Sequence, residues 1–248
     1  MSIARPTDTS RSAPPSPATI REIRRRLRRR FGPLEAPRRW DPLEELILTV
    51  LSQNTSDANS GRAYRALRER YPTWEALAAA TPAELAMTIR AGGLANIKAP
   101  RILAILEEIA ARQEGRADLS WMHGAPSEEV TAYLSSLPGV GPKTAACVLA
   151  FSLDRPALPV DTHVHRVAGR LGFYGPRTDA AKAHALLERV VPDRLKVEIH
   201  VGLIRLGREI CRPGIPRCGA CPLADLCPTA PTVLGQGAVG SAAVRSGR

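Results

Sequence analysis

Apolar residues recur along this chain at steps of three and four. Leu43, Leu46, Ile47, Val50 and Leu51 follow the i, i+3, i+4, i+7, i+8 pattern of one helix face. Ile102, Ile105, Leu106 and Ile109 do much the same, as do Val197, Val201 and Ile204, and Ile20, Ile23 and Leu27 nearer the start. Breakers punctuate these segments: Pro72, Pro82, Gly92-Gly93, Pro126, Pro138, Pro156 and Pro192. Sustained period-two alternation is absent, and so is any solenoid-type repeat. The pattern predicts an all-α protein, helix after helix from residue 41, with no substantial sheet.

The two ends read differently. Residues 1–18 are rich in Ser, Thr, Pro and Ala and predict a disordered tail, as does the Gly-, Ala-, Ser- and Val-rich stretch 228–248. An Arg- and Ser-rich start is also shared by organelle transit peptides, against which the proline content argues. Between the tails, two helical lobes are expected. One comprises residues 41–155. The other is assembled from 19–40 and 156–227.

Charge narrows the class of partner. The 248 residues carry a net charge of +11, which favours a polyanion, either nucleic acid or an acidic membrane surface. No apolar run approaches the roughly 20 residues of a membrane helix, and no signal-peptide core follows the first methionine. The basic run Arg21, Arg24, Arg25, Arg26, Arg28, Arg29 and Arg30 holds Glu22 as its one acid. It reads either as a solvated helix face or as a strip facing phosphates.

Chemistry enters with the string Leu137-Pro-Gly-Val-Gly-Pro-Lys-Thr-Ala145, a turn between two apolar segments. Gly139 and Gly141 can adopt backbone angles closed to other residues and let N–H groups approach an anion. The helix that follows points its positive end at the same anion. Such a turn suits a non-specific grip on a DNA backbone. Lys143 stands at its mouth, where a helix N-terminus favours the free amine that a nucleophile must present. Asp161, in Pro159-Val-Asp-Thr-His163, reads as the N-cap of the helix through Val164 and Val167. A capping carboxylate is also a carboxylate held in a fixed position.

Four of the five cysteines fall in one short stretch, Cys211-x6-Cys218-x2-Cys221-x5-Cys227. In a chain without a secretion signal, such crowding reads as metal binding before disulfides. Zinc and an iron–sulfur centre both use four thiolates, although zinc more often takes two C-x-x-C pairs. Cys147 stands apart and reads as a small buried residue.

Residues 137–145, with Val160-Asp-Thr-His-Val-His-Arg-Val167, closely resemble the endonuclease III family of helix-hairpin-helix DNA glycosylases, and the resemblance extends from about residue 41 to Cys227. It implies a two-lobed all-α fold with a C-terminal cluster loop, and a DNA-binding cleft where Lys143 and Asp161 face each other. It implies a bifunctional DNA glycosylase and AP lyase of base excision repair, acting on oxidised pyrimidines. Lys143 would attack the sugar C1′, Asp161 would assist base departure and proton transfer, and the lysine Schiff base would permit strand nicking by β-elimination. Cys211, Cys218, Cys221 and Cys227 would ligate a 4Fe-4S cluster, with Arg212 and Arg217 in the intervening loop touching DNA phosphates. The implied partner is double-stranded DNA with damaged bases or abasic sites. The implied setting is a cytoplasmic, nucleoid-associated monomer that has no business with membranes.

To attack C1′ an enzyme must rotate the nucleotide out of the stack and fill the gap. The family resemblance points to Asn54, beside Gln53, and to Leu94 in Gly93-Leu-Ala-Asn96. The family commonly has Gln where Asn54 aligns, and Leu94 also reads as ordinary core. Residues 116–130, with Trp121, Met122 and His123, carry no assignable role. Two alternatives remain. A monofunctional adenine-type glycosylase relies on a carboxylate in the early helix and generally lacks the hairpin lysine, whereas Leu46–Ser56 has no Asp or Glu and Lys143 is present. A non-catalytic DNA-binding module would need neither Lys143 nor Asp161.

Overall fold

A computed structural model describes residues 13–35 and 41–235; most of the two expected tails lies outside these residues. The helices run, in chain order, α1 (Pro17–Phe31), α2 (Pro42–Ser52), α3 (Asp57–Arg70), α4 (Trp74–Ala78), α5 (Pro82–Thr88), α6 (Ala95–Arg112), α7 (Ser127–Ser136), α8 (Pro142–Phe151), α9 (Thr162–Arg170), α10 (Ala180–Val190) and α11 (Lys196–Glu209). Among the described residues there is no strand, and the fold is all-α. No helix among them is long and apolar enough to cross a membrane.

The helix starts follow local chemistry. Asp41 and Thr81 cap α2 and α5, each with proline at the first helical position, and Thr81 with Glu84 forms a full capping box. Ser16 caps α1, so a helix starts inside the stretch read as tail. Residues 230–235 are helical as well, with Ala230 buried.

The chain divides into two compact units. The central one ends at Pro159 and contains α2 to α8. Leu43, Leu46, Ile47, Val50 and Leu51 are all buried there, as are Ile102, Ile105, Leu106 and Ile109. α2 lies against α3, α6 and α8, and α7 packs on α8. The unassigned segment 116–130 proves to be packing: Met122 is fully buried, Trp121 meets Tyr133 edge to face at 5.1 Å, and Arg155 donates to the Met122 carbonyl at 2.6 Å.

The other unit joins the residues up to Glu35 to those from Val160 onward. Here α11 packs against both α1 and α9. Its buried face is Ile199, Leu203 and Leu206, not the Val197–Val201–Ile204 face that the spacing predicts, which is only half-buried. The reason is two glycines. At Gly202 a Cβ would stand 2.8 Å from Leu27 of α1, and at Gly207 it would stand 3.1 Å from His163 of α9. Close backbone approach, more than apolar spacing, decides which side is covered. The basic run of α1 is largely ion-paired: Arg24 holds Glu198 through two bonds of 2.7 Å, Arg25 and Arg26 hold Glu22, Arg26 also holds Asp225, and Arg30 reaches Glu209.

Candidate functional site

In the central unit, α7 ends at Ser136 and α8 begins at Pro142, so Leu137–Gly141 form the turn. Gly139 sits at φ +69°, a conformation that favours glycine. Gly141 does not need that freedom, since its φ is −102° and its ψ is 179°. The expectation of special backbone angles therefore holds at the first glycine only. At Gly141 nothing lies within 4 Å of where a Cβ would be, so that side of the turn is open, while the Thr144 and Ala145 amides donate to the Gly141 carbonyl at 2.9 and 3.1 Å to start α8. Lys143 follows in the first turn of α8, half-buried, with Thr144 to Phe151 buried behind it.

Behind the hairpin, α2 supplies a group that sequence reasoning missed. Glu45 is only 5% exposed, and its carboxylate accepts the Thr49 hydroxyl at 2.9 Å. Burial pushes its carboxyl up to about 7, opposed by the Thr49 hydrogen bond and by the nearby charge of Lys143. Cys147, buried on α8 as expected, feels the charges of both Lys143 and Glu45, and burial pushes its thiol up. The only sequence signal for Glu45 is an acid at an i, i+4 position with Thr49 on an otherwise apolar face.

Asn54 and Leu94 are both exposed and both left-handed, at φ 53° and 50°. Leu94 is therefore not core. The structure ties the backbones of these segments together through Lys98, which donates to the carbonyls of Leu51 and Gly92.

In the other unit, Asp161 caps α9 as expected, its carboxylate accepting the Val164 amide at 2.7 Å. Further along the same helix, Arg166 donates to the Cys211 carbonyl at 3.0 Å, and Arg170 reaches the Cys211 sulfur at 3.4 Å and the Arg212 carbonyl at 2.7 Å. Thus α9 carries Asp161 at one end and braces the cysteine loop at the other. Arg212 and Arg217 are exposed on that loop.

The four cysteines line one small cavity together with Val167, Leu171, Leu206 and Ile210. Burial, then repulsion from the other three sulfurs, pushes the Cys221 thiol up to about 11. Burial also pushes the Cys218 thiol up, and a set of four thiol donors suits a soft metal centre. Among the described residues no three Cys, His, Asp or Glu side chains converge closely enough to hold a single metal ion.

Helices around an anion-receptive hairpin, with a lysine at its mouth, define the class: a helical DNA-repair protein. Residues 47–193 match the model of the HhH-GPD superfamily base excision DNA repair proteins, and the chain belongs to that superfamily, in its endonuclease III family of DNA glycosylases. It is 38% identical to endonuclease III of Thermotoga maritima over 208 residues, 84% of this chain and 92% of that protein. It is 40% identical to a candidate DNA glycosylase of Arabidopsis thaliana over 169 residues, 68% of this chain, and spans 57% of that protein's length. Among solved structures, a trapped covalent intermediate of endonuclease III with DNA superposes with a TM-score of 0.76 at 29% identity, covering 89% of this chain and 99% of that one.

Proposed function

We propose that this chain is a bifunctional DNA glycosylase and AP lyase that removes oxidised pyrimidines from double-stranded DNA. The observation that carries the reading is Lys143, half-exposed in the first turn of α8, beside the open side of the turn at Gly141 and with a buried carboxyl of α2 behind it. A similar endonuclease III has been trapped in a covalent intermediate with DNA, and a covalent intermediate needs a nucleophile of this kind.

In this reading the free amine of Lys143 attacks C1′ and the C1′–N bond to the base breaks. The base leaves with the bonding electrons and takes up a proton, a transfer that Asp161 assists. The lysine nitrogen's lone pair then expels the ring oxygen O4′, which takes up the proton shed by the amine, leaving an imine at C1′. Removal of a C2′ proton then expels the 3′ phosphate and nicks the strand. The hairpin amides around Gly139 and Gly141 hold a backbone phosphate, while Asn54 and Leu94 fill the gap left by the extruded nucleotide.

Cys211, Cys218, Cys221 and Cys227 hold a 4Fe-4S cluster on this reading, and the cluster when bound supplies a rigid tie across the loop. Two observations support it over zinc: all four cysteines line one apolar cavity, and they contain a single C-x-x-C pair where zinc sites more often use two. The working setting is the cytoplasm, at the nucleoid, as a monomer.

A second reading has one observation on its side. Glu45 gives the early helix a buried carboxyl just outside Leu46–Ser56, and an adenine-type monofunctional glycosylase relies on a carboxylate in that helix. One experiment separates the two. Borohydride added during reaction with abasic duplex should reduce the imine to a permanent protein–DNA crosslink, and Lys143→Ala should abolish it. Wild type that releases bases but never crosslinks would favour the monofunctional reading, and a crosslink surviving in Lys143→Ala would reassign the nucleophile.

A further inference from the structure

Lys98 is only 2% exposed, although it carries an ammonium group. Burial holds it below the ordinary lysine range. Its Nζ donates to the Leu51 carbonyl at 2.6 Å and to the Gly92 carbonyl at 2.8 Å. The first belongs to the last turn of α2, where carbonyls lose their helical partners. The second ends the short 3-10 helix Arg90–Gly92. Three residues beyond Leu51 stands Asn54, and two beyond Gly92 stands Leu94. Each is exposed and held left-handed, a conformation that costs energy in a leucine and persists only where its surroundings impose it.

One turn along α6, Arg101 extends the same arrangement. It donates to the Gln53 side chain at 2.9 Å and lies over Gly139, where a Cβ would stand 2.4 Å from its Nε. The first two turns of α6 therefore hold three segments at once: the end of α2, the turn before Leu94, and the hairpin. A buried cation whose bonds go to two loop-proximal carbonyls is expensive if its role is only to fill a core. It is economical as a device that fixes two backbones relative to each other.

Resting on the reading that Asn54 and Leu94 enter the duplex, we propose that Lys98 is a positioning residue. It sets the spacing between those two side chains so that they enter the stack as one preorganised wedge, with Arg101 registering that wedge to the hairpin. A wedge already ordered loses no conformational freedom when the nucleotide turns out. Loosening it should penalise opening of the helix and leave the later chemistry intact.

The test compares two abasic substrates, one with the site in a fully paired duplex and one with it in an unpaired bulge, already extrahelical. Each carries 2-aminopurine beside the site to report unstacking. Lys98→Met keeps the length of the side chain and removes its donors. Its borohydride trapping rate on the paired duplex should fall tenfold or more, with loss of the fluorescence rise. The rate on the bulge should stay within about threefold of wild type. In a Leu94→Ala background, Lys98→Met should add little, because the two act through one wedge. Equal losses on both substrates, or full additivity with Leu94→Ala, would make Lys98 merely structural and overturn the proposal. If Lys98→Met does not fold, Arg101→Met decides. A loss confined to the paired substrate supports the wedge, and no such selectivity overturns it. Failure of the wild type to crosslink would count against the lyase reading instead, and the fluorescence comparison would still judge the wedge.

Discussion

The carboxylate of Asp161 accepts the backbone amide of Val164 at 2.7 Å, so the group proposed to assist base departure is also the cap that starts α9. The two roles separate by substitution. Asn caps a helix about as well as Asp, so Asp161→Asn should stay within about 1 kcal/mol of wild type in denaturant unfolding. Base release should nevertheless slow by about 10² to 10⁴, the usual contribution of an acid–base group. Asp161→Ala should lose the same activity and about 1 kcal/mol more of stability. Wild-type turnover by Asp161→Asn would leave the residue as a cap alone.

Anaerobically purified protein should be yellow-brown and contain about four iron and four sulfide per chain. Cys221→Ser should lose the colour and destabilise the unit built on α1, α9 and α11, since the sulfur of Cys211 and the carbonyl of Arg212 are both bonded by Arg170 of α9. Metal analysis giving one zinc and no iron would replace the cluster with a zinc site.

Much of this was legible in the sequence because it rests on local signals. Helix periodicity placed the cores of α1, α2 and α6, and Asp161 declared itself as a cap by preceding an apolar segment. The misses are non-local. The covered face of α11 depends on Gly202 and Gly207 admitting Leu27 and His163, which no count of apolar residues registers. The arginines of α1 are paired with Glu198 and Glu209, far away in the chain. Lys98 looks like any surface lysine until the carbonyls of Leu51 and Gly92 are brought to it, and Glu45 looks like a solvated acid until α8 covers it.

Glu45 also predicts a pH dependence. Its folded value of about 7 lies above its ordinary 4.5, so between these values the native state binds a proton that the unfolded chain has released. Stability should therefore fall as pH rises from 4.5 to about 7, by up to about 3 kcal/mol, and level off above. The groups facing it are Thr49, Lys143 and Cys147. Glu45→Gln should flatten this slope, so denaturant midpoints at pH 5 and pH 8 should differ less in the variant than in wild type. Equal slopes in the two proteins would show that this carboxyl titrates normally.

Arg212 and Arg217 occupy the loop between Cys211 and Cys218 with their backbone fixed and their side chains exposed. Arg170 holds the carbonyls of Arg212 and Gly214 at 2.7 and 3.1 Å, and the Arg217 amide donates to Ile210 at 3.0 Å. A rigid loop presenting two guanidinium groups is suited to two backbone phosphates, and each phosphate neutralised contributes about 0.9 to the slope of log K against log salt. Replacing both arginines by Ala should therefore lower the slope for undamaged duplex by about 2, weakening binding alike for all sequences because phosphates carry no base information. Arg30→Ala serves as the contrast, since Glu209 already faces that guanidinium at 3.3 Å, and its slope should barely change. An unchanged slope in the double variant would remove the cysteine loop from the DNA interface and leave the hairpin as the principal phosphate grip.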